Sequence, residues 1–93
     1  MTKEYKTRLR YPDPFRPNGL DLVLPEDGIV SIQISDDGGN EVSTIVDGQQ
    51  FNAGNHTIDL NLSACGSGNY FYRITYIRGG ETVVETKRFV LGL

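Results

Sequence analysis

Tryptophan is absent from this 93-residue chain, and cysteine and histidine occur once each. A lone Cys65 cannot close an intrachain disulfide, so the fold does not depend on an oxidising compartment. Without tryptophan the usual sugar platform is missing, and a carbohydrate-binding role would rest on exposed tyrosines alone. No apolar run approaches the roughly 20 residues needed to cross a bilayer as a helix. The first residues, Met1-Thr-Lys-Glu-Tyr-Lys6, lack the apolar segment of a secretory signal. The expectation is a component of an assembly made in the cytoplasm. The alternative is a piece of a longer protein that is secreted or reaches the cell surface. Helical periodicity, internal repeats and a linker between domains are all missing.

Charge of one sign is also scarce. A net charge of −3 sets aside a general nucleic-acid patch. The charge is uneven, however. Lys3, Lys6, Arg8 and Arg10 against Glu4 make residues 1–10 +3, which leaves −6 for the remainder of a chain totalling −3. This divides the chain into a basic N-terminal arm over 1–10 and a single domain over 11–93. An arm of this kind is either a solvated tail or a contact to an acidic neighbour.

What is present is β-forming. Eleven glycines, four prolines and five tyrosines favour an all-β chain. The run Gly68 to Ile77 is the organising strand. It places Tyr70, Tyr72, Ile74 and Tyr76 on one face and Phe71, Arg73, Thr75 and Ile77 on the other. Apolar groups on both faces predict a central strand, covered on one side and partly covered on the other.

The remaining elements follow in order. Residues 4–10 alternate as a short edge strand or an extended arm. Three of the four prolines then fall between Tyr11 and Gly19, a rigid lead-in loop in which Tyr11 and Phe15 are expected to plug one end of the core. Strands are predicted over 20–24, 29–35, 41–47, 56–62, 68–77 and 82–91. Their inward residues include Leu20, Leu22 and Leu24, then Val30, Ile32 and Ile34. Val42, Ile45 and Val46 centre the third strand, and Ile58, Leu60 and Leu62 line the fourth. Residues 48–55 read as a polar loop, with Phe51 tucking back. Six to seven short strands with turns every 8–12 residues predict an all-β antiparallel β-sandwich, with a small closed barrel as the competing architecture.

Catalytic chemistry finds little purchase. A nucleophile needs a base and an orienting group. His56 at a strand start and Cys65 in a Gly/Ser loop have no third partner in the pattern, so no catalytic residue and no enzyme activity is expected. Asp36-Asp-Gly-Gly-Asn-Glu41 gathers oxygen atoms, but it lacks the ligand spacing of a calcium loop and has the composition of a tight turn. No metal and no cofactor is expected.

From Tyr11 onward the order of motifs resembles the immunoglobulin-like domain of flagellar hook-capping proteins, and the related C-terminal sorting domains of type IX secretion substrates. The matching residues are Tyr11-Pro-Asp-Pro-Phe15 with Pro17, Leu24-Pro25 with Gly28, Val30-x-Ile32-x-Ile34, and Asp37-x-Gly39-x-Glu41-Val42. They continue through Ala53-Gly54-x-His56, Gly68-x-Tyr70-Phe71-Tyr72-Arg73-Ile74 and Lys87-Arg88-Phe89-Val90-Leu91. The resemblance implies an immunoglobulin-like (fibronectin III-like) antiparallel β-sandwich of six to seven strands without catalytic residues, serving as a scaffold module or as a C-terminal address for export. The loop Ser63-Ala-Cys-Gly-Ser-Gly68 is longer than that family's usual one.

Together these readings predict a non-catalytic protein–protein interaction module. The first form is a small structural or adaptor subunit of a larger bacterial assembly, hook-cap-like or of contractile-injection or filament type. It would contact other protein subunits in a homo- or hetero-oligomer through Tyr5, Arg8, Arg10, Phe15, Phe71 and Arg73. The alternative is a type IX sorting or anchoring domain whose address is the last strand, Lys87, Arg88, Phe89, Val90 and Leu91.

Overall fold

The computed structural model describes residues 5–11, 16–62 and 65–92. Seven strands follow one another: β1 (Lys6–Arg10), β2 (Gly19–Leu24), β3 (Gly28–Asp36), β4 (Glu41–Phe51), β5 (Gly54–Asp59), β6 (Gly68–Arg78) and β7 (Glu81–Leu91). They form a three-stranded sheet in the order β1-β2-β5 and a four-stranded sheet in the order β4-β3-β6-β7, with every pairing antiparallel. This is the strand order of a fibronectin III-like sandwich, and the antiparallel β-sandwich is the architecture the sequence predicts.

The core forms where the inward residues of both sheets meet. Leu20, Leu22 and Leu24 of β2 face Val30, Ile32 and Ile34 of β3 and Tyr72, Ile74 and Tyr76 of β6, all essentially buried. Each such side chain contributes about 1.5–3 kcal/mol relative to exposure. β6 lies inside its sheet, pairing with β3 from Tyr70 to Ile77 and with β7 along its whole length. Near its start, the Tyr70 hydroxyl donates to the Gly66 carbonyl at 2.9 Å, the upstream backbone bond typical of a tyrosine corner.

Three expectations differ from the structure, each for a local reason. Residues 48–51 belong to β4 rather than to a loop, because Gly48 adopts a left-handed φ of 58° and so continues the strand through a bulge. The Gly48 amide donates to Ser31 Oγ at 2.8 Å there. Val42, in the third predicted strand, is exposed. Ile34 pairs with Ser43 and Ser35 with Glu41, so Val42 is the extra residue of another bulge. β5 ends at Asp59, yet Leu60 and Leu62 beyond it remain in the core; the Leu60 amide donates to the Asn18 carbonyl at 3.0 Å instead of to a ladder. Tyr11 is 46% exposed and does not plug the core. Phe15, its expected companion, lies outside the described residues. Pro17 is buried, and Arg16 donates to the Leu62 and Cys65 carbonyls at 3.2 Å, holding the loop after β5 against the lead-in segment.

Of the two forms open to residues 4–10, the structure has the edge strand. Residues 6–10 pair with β2, Lys6 opposite Val23 through Arg10 opposite Gly19. Tyr5 then stacks on Tyr76 of the other sheet, ring centroids 5.6 Å apart and planes 16° from parallel. The Tyr76 hydroxyl donates to the Glu26 carbonyl at 2.6 Å and accepts from the Glu26 amide at 3.2 Å. Arg78 covers the same ring, 5.6 Å from its centroid, and reaches Glu26 at 3.9 Å.

Gly28 makes this arrangement possible. A Cβ at that position would sit 2.5 Å from the Ile77 carbonyl oxygen and 2.6 Å from Tyr76 Cε1. The substitution Gly28→Ala is therefore expected to lower stability by about 1–3 kcal/mol through overpacking. Chemical denaturation checks this as a drop in midpoint at unchanged slope.

Candidate functional site

The sequence-predicted contact residues separate onto different surfaces. Arg8 and Arg10 project from the outer face of the three-stranded sheet. There Arg8 sits opposite Asp21, and Arg10 Nε is 3.8 Å from Asp21 Oδ2. Thr57 continues this polar face by donating to Asp21 Oδ1 at 3.1 Å. Phe71 and Arg73 lie on the outer face of the four-stranded sheet, on the far side of the sandwich, with Phe71 half-buried and Arg73 exposed. Tyr5 belongs to neither face. It is half-buried between the sheets, and its role here is to pack on Tyr76.

The outer face of the four-stranded sheet exposes several large apolar side chains. The register sets Ile29 beside Ile77 and Thr82, Ser31 beside Thr75 and Val84, and Ser35 beside Phe71 and Arg88. Ile29, Ile77, Val84 and Val90 are each between 40% and 53% exposed. Together with Phe71 they make an apolar strip whose polar members are Arg73, Arg88 and threonines. Apolar area interrupted by arginine is the composition of an interface core. Sequence alternation located Phe71, Arg73 and Ile77; Ile29, Val84 and Val90 escaped it. The alternation of Thr82, Val84, Thr86, Arg88 and Val90 was the available signal for the last strand, once β7 is known to flank β6.

Residues of the last strand divide between interior and surface. Phe89 and Leu91 are core residues, with Phe89 6.0 Å from Tyr70 and 5.9 Å from Tyr72 between ring centroids. Lys87, Arg88 and Val90 are exposed. Lys87 and Glu85 face inward where the sandwich opens between β1 and β7, bordering a groove of about 480 Å³ lined also by Tyr5, Thr7, Arg8 and Asp21. Glu85 Oε1 accepts from Thr7 Oγ1 at 2.8 Å and lies 3.8 Å from Lys87 Nζ.

The Tyr5 hydroxyl is buried beside this groove without a hydrogen-bond partner among the described residues. Burial, then the nearby Glu85 carboxylate and the Tyr72 and Tyr76 phenols, push its pKa well above the ordinary phenol value.

The reactive side chains are engaged locally. His56 Nε2 lies 2.6 Å from the Asn52 carbonyl oxygen, and its ring meets Phe51 edge-on at 4.9 Å. Cys65 is half-buried and packs against the core, while its amide donates to Leu62 and its carbonyl accepts from Arg16. Asp36 directs its carboxylate at its own turn. Asp36 Oδ1 accepts from the Gly38 and Asn40 amides at 2.9 Å, and the Asn40 amide foremost holds its pKa below the usual carboxylate value. Its oxygens thus serve the turn that joins β3 to β4. Among the described residues no group of three or more His, Cys, Asp or Glu side chains is placed to hold a metal ion. No described helix is long and apolar enough to cross a membrane.

Compared with known proteins, the chain matches no family model and no curated relative.

The Tyr5 environment has a measurable consequence. A raised phenol pKa in the folded state leaves stability intact below the unfolded value near 10 and removes it as pH rises above that value. Urea unfolding between pH 9 and 12 is expected to show a steeper alkaline loss for the natural chain than for Tyr5→Phe. Equal slopes would place the titrating tyrosine elsewhere.

Proposed function

We propose that this chain is a non-catalytic protein–protein interaction module, a small structural or adaptor subunit of a larger bacterial assembly. The observation that carries the reading is the outer face of the four-stranded sheet. Phe71, Ile77, Ile29, Val84 and Val90 lie on it together with Arg73 and Arg88, with no further layer of the chain packed over it among the described residues. His56 and Asp36 are committed to local backbone contacts, and Cys65 packs against the core, so surface recognition is the chemistry best supported. The basic residues Arg8 and Arg10 offer a second, electrostatic contact on the opposite side, suited to an acidic neighbour. The resemblance to hook-capping immunoglobulin-like domains agrees with a scaffold role of this kind.

A sorting role would have to use a different part of the last strand from the one the sequence singles out. Phe89 and Leu91 are interior, so an address there would be read from Lys87, Arg88 and Val90.

Native mass spectrometry of the particle that contains this chain tests the proposal. A complex with several copies or partners is expected, and a lone chain of 10.3 kDa refutes it. The paired substitution Phe71→Ser and Arg73→Glu is expected to abolish incorporation while changing folding stability by no more than about 1 kcal/mol, since both positions face outward.

A further inference from the structure

Sheet edges distinguish β7 from the other strands. Among the described residues, β1 and β5 bound the three-stranded sheet but are only five and six residues long. β4 bounds the four-stranded sheet, and three register shifts against β3, with the left-handed Gly48, break its line. Bulges of this kind protect an edge from foreign strands. β7 has no such interruption. Its eleven residues, Glu81–Leu91, pair with β6 one for one, and among the described residues no strand pairs with their other side.

The inward face of β7 carries Glu85 and Lys87 near its middle. Inward charges on an edge repel an ordinary apolar strand. They are complementary to one arrangement, however. A two-fold axis through a joined antiparallel sheet keeps inward residues opposite inward residues. Centred on Thr86, such pairing sets Glu85 against Lys87 of the second copy, and Lys87 against its Glu85. All eleven residues then overlap, with Val83 facing Phe89 and Thr82 facing Val90. Centring on Glu85 or on Lys87 opposes like charges, which is destabilising. Both side chains stay accessible, 30% for Glu85 and 49% for Lys87, so a second copy can reach them.

We propose that the chain self-associates through the free edge of β7, antiparallel about Thr86, joining two four-stranded sheets into one of eight strands. The apolar strip on the outer face then continues across the junction through Val84 and Val90 of both copies. This deepens the assembly reading by naming the partner as a second copy, and it rests on that reading for its biological use.

The purified chain under light scattering is the test. A mass near twice 10.3 kDa is expected. Lys87→Glu opposes carboxylates at both ends of the pair and is expected to weaken dimerisation about tenfold or more, with the circular dichroism unchanged. The double variant Glu85→Lys/Lys87→Glu is expected to restore it. In a Cys65→Ser background, Thr86→Cys is expected to form an oxidised dimer and Thr82→Cys is not. A monomer at the highest soluble concentration overturns the proposal. So does a dimer indifferent to Lys87→Glu, or one cross-linked through position 82 instead of 86. A monomeric purified chain found within a large native particle refutes self-pairing while sustaining the assembly reading. A purified dimer absent from any larger particle does the reverse.

Discussion

Tyr76 is the side chain on which the two sheets of this molecule meet. Its ring lies against Gly28 and beneath Tyr5, and its hydroxyl is bonded to both backbone groups of Glu26. Three segments remote in sequence therefore share one residue: the approach to β1, the turn into β3, and the end of β6. The arrangement tolerates no Cβ at position 28, because the backbone of β3 must pass within contact distance of the ring and of the Ile77 carbonyl. The basic first strand is held to the body by this stack and by the Thr7–Glu85 bond, as well as by its ladder with β2. It is part of the sandwich, and its arginines are displayed from a rigid element.

The same constraint shapes the surfaces available for contact. With Tyr5 and Thr7 drawn toward β6 and β7, the sandwich opens between β1 and β7 into a groove where Glu85 and Lys87 remain accessible. On the other side of the four-stranded sheet nothing in the described chain covers Phe71, Ile77 and Val84. One sheet thus presents an apolar outer face and a charged edge, whereas the other presents Arg8, Arg10 and Asp21. Surfaces of such different character are what the proposed assembly role calls for.

Much of this was legible in the chain. Strict alternation in 29–35 and 70–77 identified the inward residues of β3 and β6, because a pleated strand must sort its side chains by face. The outward positions of Phe71 and Arg73 followed from the same parity. The segment 48–51 depends on a bulge in β4, and a bulge shifts parity by one residue without marking the composition. Tyr11 was expected inside because it is aromatic beside prolines, yet Pro17 and Arg16 take the place next to the loop after β5. The candidate contact residues were found singly, but not how they divide among surfaces. Tyr5, Arg8 and Arg10 are near neighbours in sequence, and parity alone sends Tyr5 inward and the arginines outward.

By itself, then, the sequence determined the all-β class, the number and approximate extent of the strands, and the two faces of β6. These are local properties, set by side-chain type at a period of two and by turn-forming residues between runs. Only the tertiary structure decided which strands stand at the edges, that β7 has an unbroken free edge with Glu85 and Lys87 turned inward, and that Tyr5 closes onto Tyr76. Those outcomes depend on non-local pairing, where the energy of burying Leu22 against Ile74 is the same whichever strand flanks them. Register and sheet order are set by the sum of many such contacts, and no short stretch of the chain carries that sum.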